Sequence, residues 1–256
     1  MTQHIKRLEQ SLNVYLIDRS SSRSTLTPEG RTFLPYAEHL LNICSRARVA
    51  PKRNSLAVGA SSNIGTYLLQ PWLRAFQQAS PHTLELLIDD NISIAEKLKG
   101  LEIDVAAMEW WDPTPGFLAR VWRSEELLVI VPPQHPWTGL RSIPRHWLNG
   151  QTFLGGERGT DTGRILQQYL GENTVTIDVS MRLGSTEAVK HAVHAGLGIS
   201  LVMAGAVEQE LRSGWLGGVS IEGEPPRKEI YLVRRESESQ DAPAVELIDF
   251  LHGQIP

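Results

Sequence analysis

Short apolar segments alternate with amphipathic segments in two series along the 256-residue chain, and this alternation restricts the possible folds more than any other feature. In the first series, Leu56, Val58 and Ala60 predict a strand, and the apolar spacing from Leu68 to Phe76 predicts a helix after it. The pattern then predicts a strand at 84–88, a helix at 93–101 and strands at 103–107 and 127–133. Repeated strand–helix–strand units are typical of α/β domains with a mainly parallel sheet and helices on both of its faces.

A second series begins near residue 152 and has the same character. It predicts strands at 152–154, 175–179 and 199–202, and helices at 162–170 and 186–195. A last strand at 230–233 and a helix at 244–251 are expected to return to the first series. The predicted domain therefore has two lobes, joined by crossing strands near Val131 and Arg227. Lobe I covers about 54–130 and 229–256, and lobe II covers about 131–228.

The first residues of the chain have the pattern of a DNA-binding helix. Over 2–12, the residues Ile5, Leu8 and Leu12 are spaced three and four apart and predict one buried stripe. The polar residues of this segment point elsewhere and suit phosphates and base edges; they are Gln3, His4, Lys6 and Arg7. A short apolar run, Arg19, three serines and Arg23 follow, in the order of a recognition helix and a basic wing.

A long helix is expected next. Thr27 can cap its start, Pro28 suits its first turn, and Pro35 is expected to bend it. Apolar residues recur along it at heptad spacing, which predicts pairing with the same helix of a second subunit. The predicted contact residues are Phe33, Ala37, Leu40, Leu41 and Cys44, with Cys44 packing rather than reacting. Pro51 is expected to mark the hinge to the second domain.

Charge divides the chain in the same place as the pattern does. Residues 1–53 carry nine Lys or Arg against four Asp or Glu, a formal charge of +5, whereas the rest carries −9. A basic N-terminal segment followed by an acidic remainder is typical of a polyanion-binding segment joined to a domain that does not bind DNA. The single cysteine excludes a disulfide within the chain, and the apolar runs are too short for a bilayer. These features predict a cytoplasmic protein without membrane contact.

Two stretches resemble the LysR-type transcriptional regulators. Residues 2–30 are similar to the end of that family's winged helix-turn-helix, with Asn13 where the family pattern has glycine and Ile17 where it has phenylalanine. Residues 184–189 and 195–200, GSTEAV and AGLGIS, match the most regular segment of the family's effector domain. The resemblance implies a two-lobed α/β effector domain similar to type 2 periplasmic solute-binding proteins. It also implies a homodimer or homotetramer.

The resemblance also implies how the chain is divided and where it binds DNA. The family's first helices would lie upstream of Met1, so residues 1–27 are expected to be a partial winged helix-turn-helix. Residues 28–50 would then be the linker and dimerisation helix, and 54–256 the effector domain. In the full-length form, promoter DNA would be bound mainly at its phosphates by Lys6, Arg7, Arg19 and Arg23, and nearer its bases by Thr2, Gln3 and His4.

Three loops predict an effector site between the lobes. Each leads from a strand into a helix start and carries small hydroxyl residues: Ser61, Ser62 and Asn63 in the first loop, Thr160, Asp161 and Thr162 in the second, and Ser185 and Thr186 in the third. Loops of this kind gather where strands end, and helix N-termini favour anions, so a small carboxylate or similar anion is the predicted effector. Alternatively, each hydroxyl merely caps its own helix.

Further residues are expected around the same cleft. Glu109 and Trp110, with Trp111, would stand at its rim, and Met203 would form part of its wall. The alternative for the tryptophans is a packed lobe edge or a subunit contact.

Motifs for enzymatic chemistry are incomplete. The segment 159–164 lacks the lysine of a phosphate loop, and Gly196 and Gly198 follow a predicted helix rather than precede one. Glu187, His191 and His194 could share a helix face and hold a metal, but a solvated surface is the preferred interpretation. The sequence therefore predicts a non-enzymatic regulator without cofactor or metal. The alternatives are a ligand-binding module that no longer binds DNA and an enzyme on the same two-lobed scaffold.

Overall fold

A computed structural model describes residues 2–19, 24–49, 55–156, 162, 164–165, 169, 179–239 and 242–254. The chain forms two compact units, Met1–Arg53 and Asn54–Pro256. Arg23, Pro51 and Thr160 lie outside the described residues, as do most of the predicted helix at 162–170 and the strand residues 175–178. None of the helices within the described ranges is long and apolar enough to cross a membrane.

The first unit consists of two helices and a small hairpin. Its elements are α1 (Thr2–Leu12), β1 (Ile17–Asp18), β2 (Thr25–Leu26) and α2 (Pro28–Val49), with β1 and β2 antiparallel. The predicted cap of the long helix is confirmed, because Thr27 Oγ1 accepts a hydrogen bond from the Gly30 amide at 2.9 Å. Pro35 lies inside α2, and the helix continues beyond it.

The predicted buried stripe of α1 is wrong within the described unit. Leu8 and Leu12 are exposed, whereas Glu9 is buried. The Glu9 carboxylate accepts hydrogen bonds from the amides of Leu16 and Ile17, at 2.9 and 3.1 Å. These hydrogen bonds allow the carboxylate to be buried. Its pKa is lowered, chiefly by the Leu16 amide.

The turn after α1 depends on two unusual backbone positions. Asn13 has a φ of 53°, in the left-handed region where asparagine is tolerated in place of glycine. Gly30 lies so close to the chain that an added Cβ would be 2.0 Å from the carbonyl oxygen of Leu16. These two positions explain how a short segment returns from α1 to the start of α2.

The second unit alternates strands and helices as predicted. Its strands are β3 (Ser55–Ser61), β4 (Thr83–Asp89), β5 (Val105–Met108), β6 (Phe117–Val131), β7 (Ser142–Ile143), β8 (Phe153–Gly155), β9 (Val179–Arg182), β10 (Ser200–Met203), β11 (Gly217–Ile221) and β12 (Arg227–Arg235). Its α-helices are α3 (Gln70–Ala79), α4 (Asn91–Lys99), α5 (Thr186–His194), α6 (Glu208–Ser213) and α7 (Pro243–Gly253). A π-helix at Ile64–Leu68 and 3-10 helices at Arg145–Leu148 and Ala204–Ala206 complete the described elements.

The main sheet is mixed, so the prediction of mainly parallel strands is wrong. Its strand order is β4-β3-β5-β12-β6-β11-β7, and β10 also pairs with β6. Strand β3 is parallel to β4 and β5, whereas β12 is antiparallel to β5 and β6. The apolar pattern does not distinguish these cases, because strands covered on both faces are apolar in either arrangement.

Helices cover both faces of the first part of this sheet, as predicted. Leu56 and Val58 of β3 belong to the same apolar cluster as residues of α3 and α7. Ala57, on the opposite face of the strand, packs with Ile94 and Leu98 of α4. The sheet is therefore the centre of a three-layer arrangement in lobe I.

Strands β6 and β12 connect the two lobes. Residues 117–126 of β6 pair with β12, and residues 127–131 pair with β10 and β11. Lobe I thus contains β3, β4 and β5, and lobe II contains β7 to β11 with α5 and α6. The apolar cluster continues from Leu56 in lobe I to Phe153 in lobe II, so the lobes share one core at the crossing strands.

Candidate functional site

Two of the three predicted loops contact each other at the boundary between the lobes, and Thr162 of the remaining loop contacts Lys228 beside them. Asn63 follows β3 in lobe I, and Thr186 begins α5 in lobe II. The Thr186 hydroxyl donates to Asn63 Oδ1 at 2.7 Å, and Asn63 Nδ2 donates to Glu109 Oε1 at 2.9 Å. Asn63 therefore uses both ends of its amide to connect a lobe II helix to a lobe I carboxylate.

A buried ion pair lies beside this connection. Lys228 Nζ donates to Glu109 Oε2 at 2.6 Å, and the two side chains are 2% and 0% exposed. Lys228 also donates to Thr162 Oγ1 at 2.8 Å, while the Glu109 amide donates to Asn91 Oδ1 at 3.0 Å. The pair carries no net charge, and several polar contacts hold it in place.

The predicted hydroxyls divide into two groups. Ser62 donates to the Asp89 carbonyl, and Ser185 caps α5 by accepting a hydrogen bond from the Ala188 amide, so both have local structural roles. Ser61 is different: its hydroxyl is buried and has no hydrogen-bond partner among the residues described. A buried hydroxyl without a partner is costly in isolation, and a bound ligand is one way to satisfy it.

The residues expected at the rim and wall lie at different depths. Glu109 is fully buried, so its predicted position at the rim is wrong; its pairing with Lys228 explains the burial. Trp110 is exposed, whereas Trp111 is buried against Phe117 with ring centroids 5.6 Å apart. Met203 is buried in β10 opposite Leu127, within the shared core.

A second polar contact joins the lobes next to the first. Tyr67, in the π-helix of lobe I, donates its hydroxyl to Glu187 Oε1 of α5 at 2.6 Å. Glu187 was expected to be merely solvated, and this contact gives it a partner in the other lobe. His191 and His194 pack on Trp215, with ring centroids 5.0 and 4.4 Å away. Across the part of the chain that the structure describes, no three acidic, histidine or cysteine side chains form a potential metal site.

Sequence reasoning missed Lys228, Lys190 and Tyr67. A signal existed for Lys228, because it shares the period-two face of β12 with the buried Ile230 and Leu232. Lys190 follows Val189 in a helix whose buried residues it joins, and one of its two carboxylate partners, Glu210, is 20 residues away in sequence. Only the tertiary structure identifies such partners.

The predicted DNA-binding residues are placed on the first unit. Gln3, His4, Lys6 and Arg7 are exposed on α1, and Thr2 is its first residue. Arg19 instead forms an ion pair with the buried Glu9, at 3.3 Å. An arginine engaged in this way has part of its charge compensated within the unit.

The predicted dimerisation residues form an apolar face on α2. Leu40 and Leu41 are 59% and 70% exposed, Cys44 is exposed, and Phe33 and Ala37 are half-buried. An apolar groove of about 410 Å³ lies between α1 and α2 and is lined in part by Leu12 and Phe33. The unit therefore presents more apolar surface than isolated exposed leucines would.

The chain matches known proteins over most of its length. The family described as the LysR substrate binding domain matches residues 50–256. The chain belongs to the LysR family. A protein of Cyanidioschyzon merolae named as a RuBisCO transcriptional regulator is 32% identical over 253 residues, covering 94% of this chain and 84% of the relative. The PtxE protein of Stutzerimonas stutzeri, named as an HTH-type transcriptional regulator, is 40% identical over 164 residues, or 63% and 84% of the two chains.

Solved structures show the same fold at lower sequence identity. The regulatory domain of Synechocystis CcmR, solved in complex with 2-PG, has a TM-score of 0.69 and 22% identity, covering 78% of this LysR chain and 96% of CcmR's. CbnR, a LysR family transcriptional regulator, has a TM-score of 0.67 and 20% identity, covering 98% and 89%. The two-lobed α/β architecture predicted for the effector domain is thereby confirmed, and the relatives named above are transcriptional regulators.

Proposed function

We propose that this LysR chain binds a small anionic metabolite between its two lobes and thereby changes promoter binding. The observation that carries the proposal is the unpartnered, buried hydroxyl of Ser61, next to the loop in which Asn63 contacts Thr186 across the lobe boundary. A ligand that accepts a hydrogen bond from Ser61 would satisfy this hydroxyl. The complex of CcmR with 2-PG supports a ligand in a domain of this fold.

The charged groups in the cleft limit the chemical class of the effector. Lys228 is already compensated by Glu109, so an anion gains little from a free positive charge there. The effector would instead depend on neutral donors such as the Ser61 hydroxyl and on the N-terminus of α5. A small carboxylate suits these donors better than a large polyanion, which would leave several charges unpaired in a buried site.

Binding of the effector would change DNA binding by changing the arrangement of the subunits. The effector would stabilise one arrangement of lobes and subunits over another, and the paired α1 helices would then meet their half-sites differently. In this proposal the α2 faces join a homodimer and the effector domains extend it to a tetramer. Gln3, His4, Lys6 and Arg7 are the exposed residues proposed to contact promoter DNA.

A thermal-shift screen with 2-PG and a panel of small carboxylates tests the effector site. A specific ligand should raise the melting temperature of the wild type, and Ser61→Ala should weaken binding about tenfold, from the loss of one hydrogen bond. The unliganded Ser61→Ala protein should keep its stability, because the hydroxyl has no partner to lose among the described residues.

The matched control is Ser200→Ala. Its buried hydroxyl donates to the Leu154 carbonyl at 2.7 Å, so the variant should lose stability and keep its ligand affinity. Equal ligand affinities for Ser61→Ala and the wild type would contradict the site. A panel in which no compound stabilises the wild type would contradict anion sensing.

The exposed positions of Leu8 and Leu12 on α1 favour a second candidate, a ligand-binding module without DNA binding. A helix this short is marginal without packing partners. The two candidates differ in fluorescence anisotropy with promoter fragments: the regulator binds them in an effector-dependent way, whereas the module binds the effector alone.

A further inference from the structure

Lys190 forms a charged centre inside lobe II. Its side chain is 2% exposed, yet its Nζ has three oxygen partners: Glu187 Oε1 at 2.6 Å, Glu210 Oε1 at 2.7 Å and the Ala206 carbonyl at 2.9 Å. These groups come from α5, α6 and the 3-10 helix before α6. The three protons of the ammonium group are therefore satisfied within lobe II, where the two carboxylates leave a net negative charge.

Lobe I contributes Tyr67 to this centre. The Tyr67 ring lies 4.7 Å from Lys190 Nζ, and its hydroxyl donates to the same Glu187 oxygen that Lys190 contacts. Burial, together with the carboxylates of Glu187 and Glu210, raises the pKa of Tyr67, so the hydroxyl remains a donor. Burial alone would raise the pKa of Glu187, but hydrogen bonds from Lys190 and Tyr67 outweigh burial and lower it.

The two halves of this contact differ in what they lose on separation. If the lobes part, Lys190 keeps both carboxylates and gains water where the Tyr67 ring had covered it. Tyr67 loses one charge-assisted hydrogen bond and one cation–π contact, and water can replace the hydrogen bond. Separation thus leaves no buried charge without a partner, so the contact is suited to repeated opening and closing.

The position of the contact connects it to the cleft. Glu187 is adjacent in sequence to Thr186, whose hydroxyl contacts Asn63, and Tyr67 lies in the helix that follows Asn63. The π-helix at Ile64–Leu68 is itself uncommon, and single π turns are often found at functional sites. The Tyr67–Glu187 and Asn63–Thr186 hydrogen bonds therefore join the same two segments and would break together.

We propose that Tyr67 is an interlobe clasp, a positioning residue that holds the cleft closed through Glu187 and Lys190. Its removal shifts the lobes toward an open arrangement. If the cleft binds an effector, which rests on the function proposed above, the clasp also sets how fast the effector enters and leaves.

Distance measurements between spin labels test the clasp without any ligand. The labels are placed at Gln78→Cys on α3 and Arg212→Cys on α6, both exposed, in the full chain with Cys44→Ser. The wild type should give one main distance between the labels. In Tyr67→Phe, the population with a longer distance should be at least about tenfold greater than it is in the wild type. The tenfold change corresponds to about 1.4 kcal/mol, as expected for the loss of one hydrogen bond to a carboxylate.

Two further variants separate opening from local damage. Glu187→Ala should produce the same longer distance, and the Tyr67→Phe/Glu187→Ala double variant should add nothing to it. The matched control is Tyr231→Phe, which removes a tyrosine–glutamate hydrogen bond of the same 2.6 Å length within β12 of lobe I. An unchanged distance distribution in Tyr67→Phe, or the same change in Tyr231→Phe, would overturn the proposal.

Exchange of 2-PG, followed by stopped-flow fluorescence, gives a separate reading. Tyr67→Phe should raise both the association and the dissociation rate constants several-fold. If 2-PG and the carboxylates bind neither protein while the spin-label distances change, the effector proposal fails and the clasp stands.

Discussion

The two units of the chain differ in where their buried charged residues find partners and in how far their apolar residues are enclosed. In the first unit, Leu40 and Leu41 are exposed, and the buried Glu9 is satisfied by neighbours within ten residues. In the second unit, large apolar residues form a continuous core, and the buried Lys228 is satisfied by Glu109, 119 residues away. The second unit therefore encloses a large apolar core of its own, whereas we expect the exposed leucines of the first unit to be covered by another molecule.

The largest effect is expected where the second unit depends on distant partners. Lys228→Gln leaves Glu109 as a buried charge without its cation and should lower the free energy of unfolding by about 3–5 kcal/mol. Urea denaturation measures the loss. The Lys228→Met/Glu109→Leu double variant should recover most of it, because neither charge then remains.

Lys97→Gln is the control for an exposed pair. Lys97 Nζ lies 3.1 Å from Asp89 Oδ2, but both side chains are partly solvated, so the loss should stay below about 1 kcal/mol. Similar losses for Lys228→Gln and Lys97→Gln would show that burial of the Lys228 pair does not matter to the stability of the second unit.

The next effect concerns the apolar face of the first unit. Leu40→Glu/Leu41→Glu should raise the dimer dissociation constant at least about tenfold, because burying a leucine side chain contributes roughly 1.5–3 kcal/mol. Sedimentation equilibrium measures the constant, and the stability of the second unit should not change. Glu38→Gln, exposed on the same helix, is the control. An unaltered dimer would place the subunit contact elsewhere.

The smallest effect separates two arginines of the first unit. Arg7→Gln should weaken promoter binding a few-fold and reduce the slope of log affinity against log salt by about one, as expected for one lost phosphate contact. Arg19→Gln should change the slope less, because Arg19 is paired with Glu9. Equal slope changes would mean that the ion pair opens on DNA.

Much of the fold could be predicted because its signals are local. Thr27 and Pro28 identify the start of α2, and the stretch around Ser185 identifies the start of α5. The order of strands and helices follows from apolar periodicity in the same way. The direction of β12 was not predictable, since an apolar strand has the same pattern whether its neighbours are parallel or antiparallel.

The candidate site was predictable only in part. Asn63 and Thr186 were found because loops after strands gather at one edge of a sheet. The burial of Glu109 was not found, since a carboxylate after a strand is ordinarily solvated and only its contact with Lys228 reverses that expectation. The exposure of Leu8 and Leu12 was not predicted either. Their spacing shows that they share a helix face, but it does not show whether another element covers that face.

The paired strands β6 and β12 limit how the lobes can move. Because the chain crosses between the lobes twice, in opposite directions and side by side, the crossing behaves as a ribbon rather than a tether. A ribbon twists about its long axis at low cost, but sliding it sideways would break its ladder of hydrogen bonds. We therefore expect small changes at the cleft to be converted into rotation, with displacements that grow with distance from the axis. The remote ends of the lobes would then travel furthest.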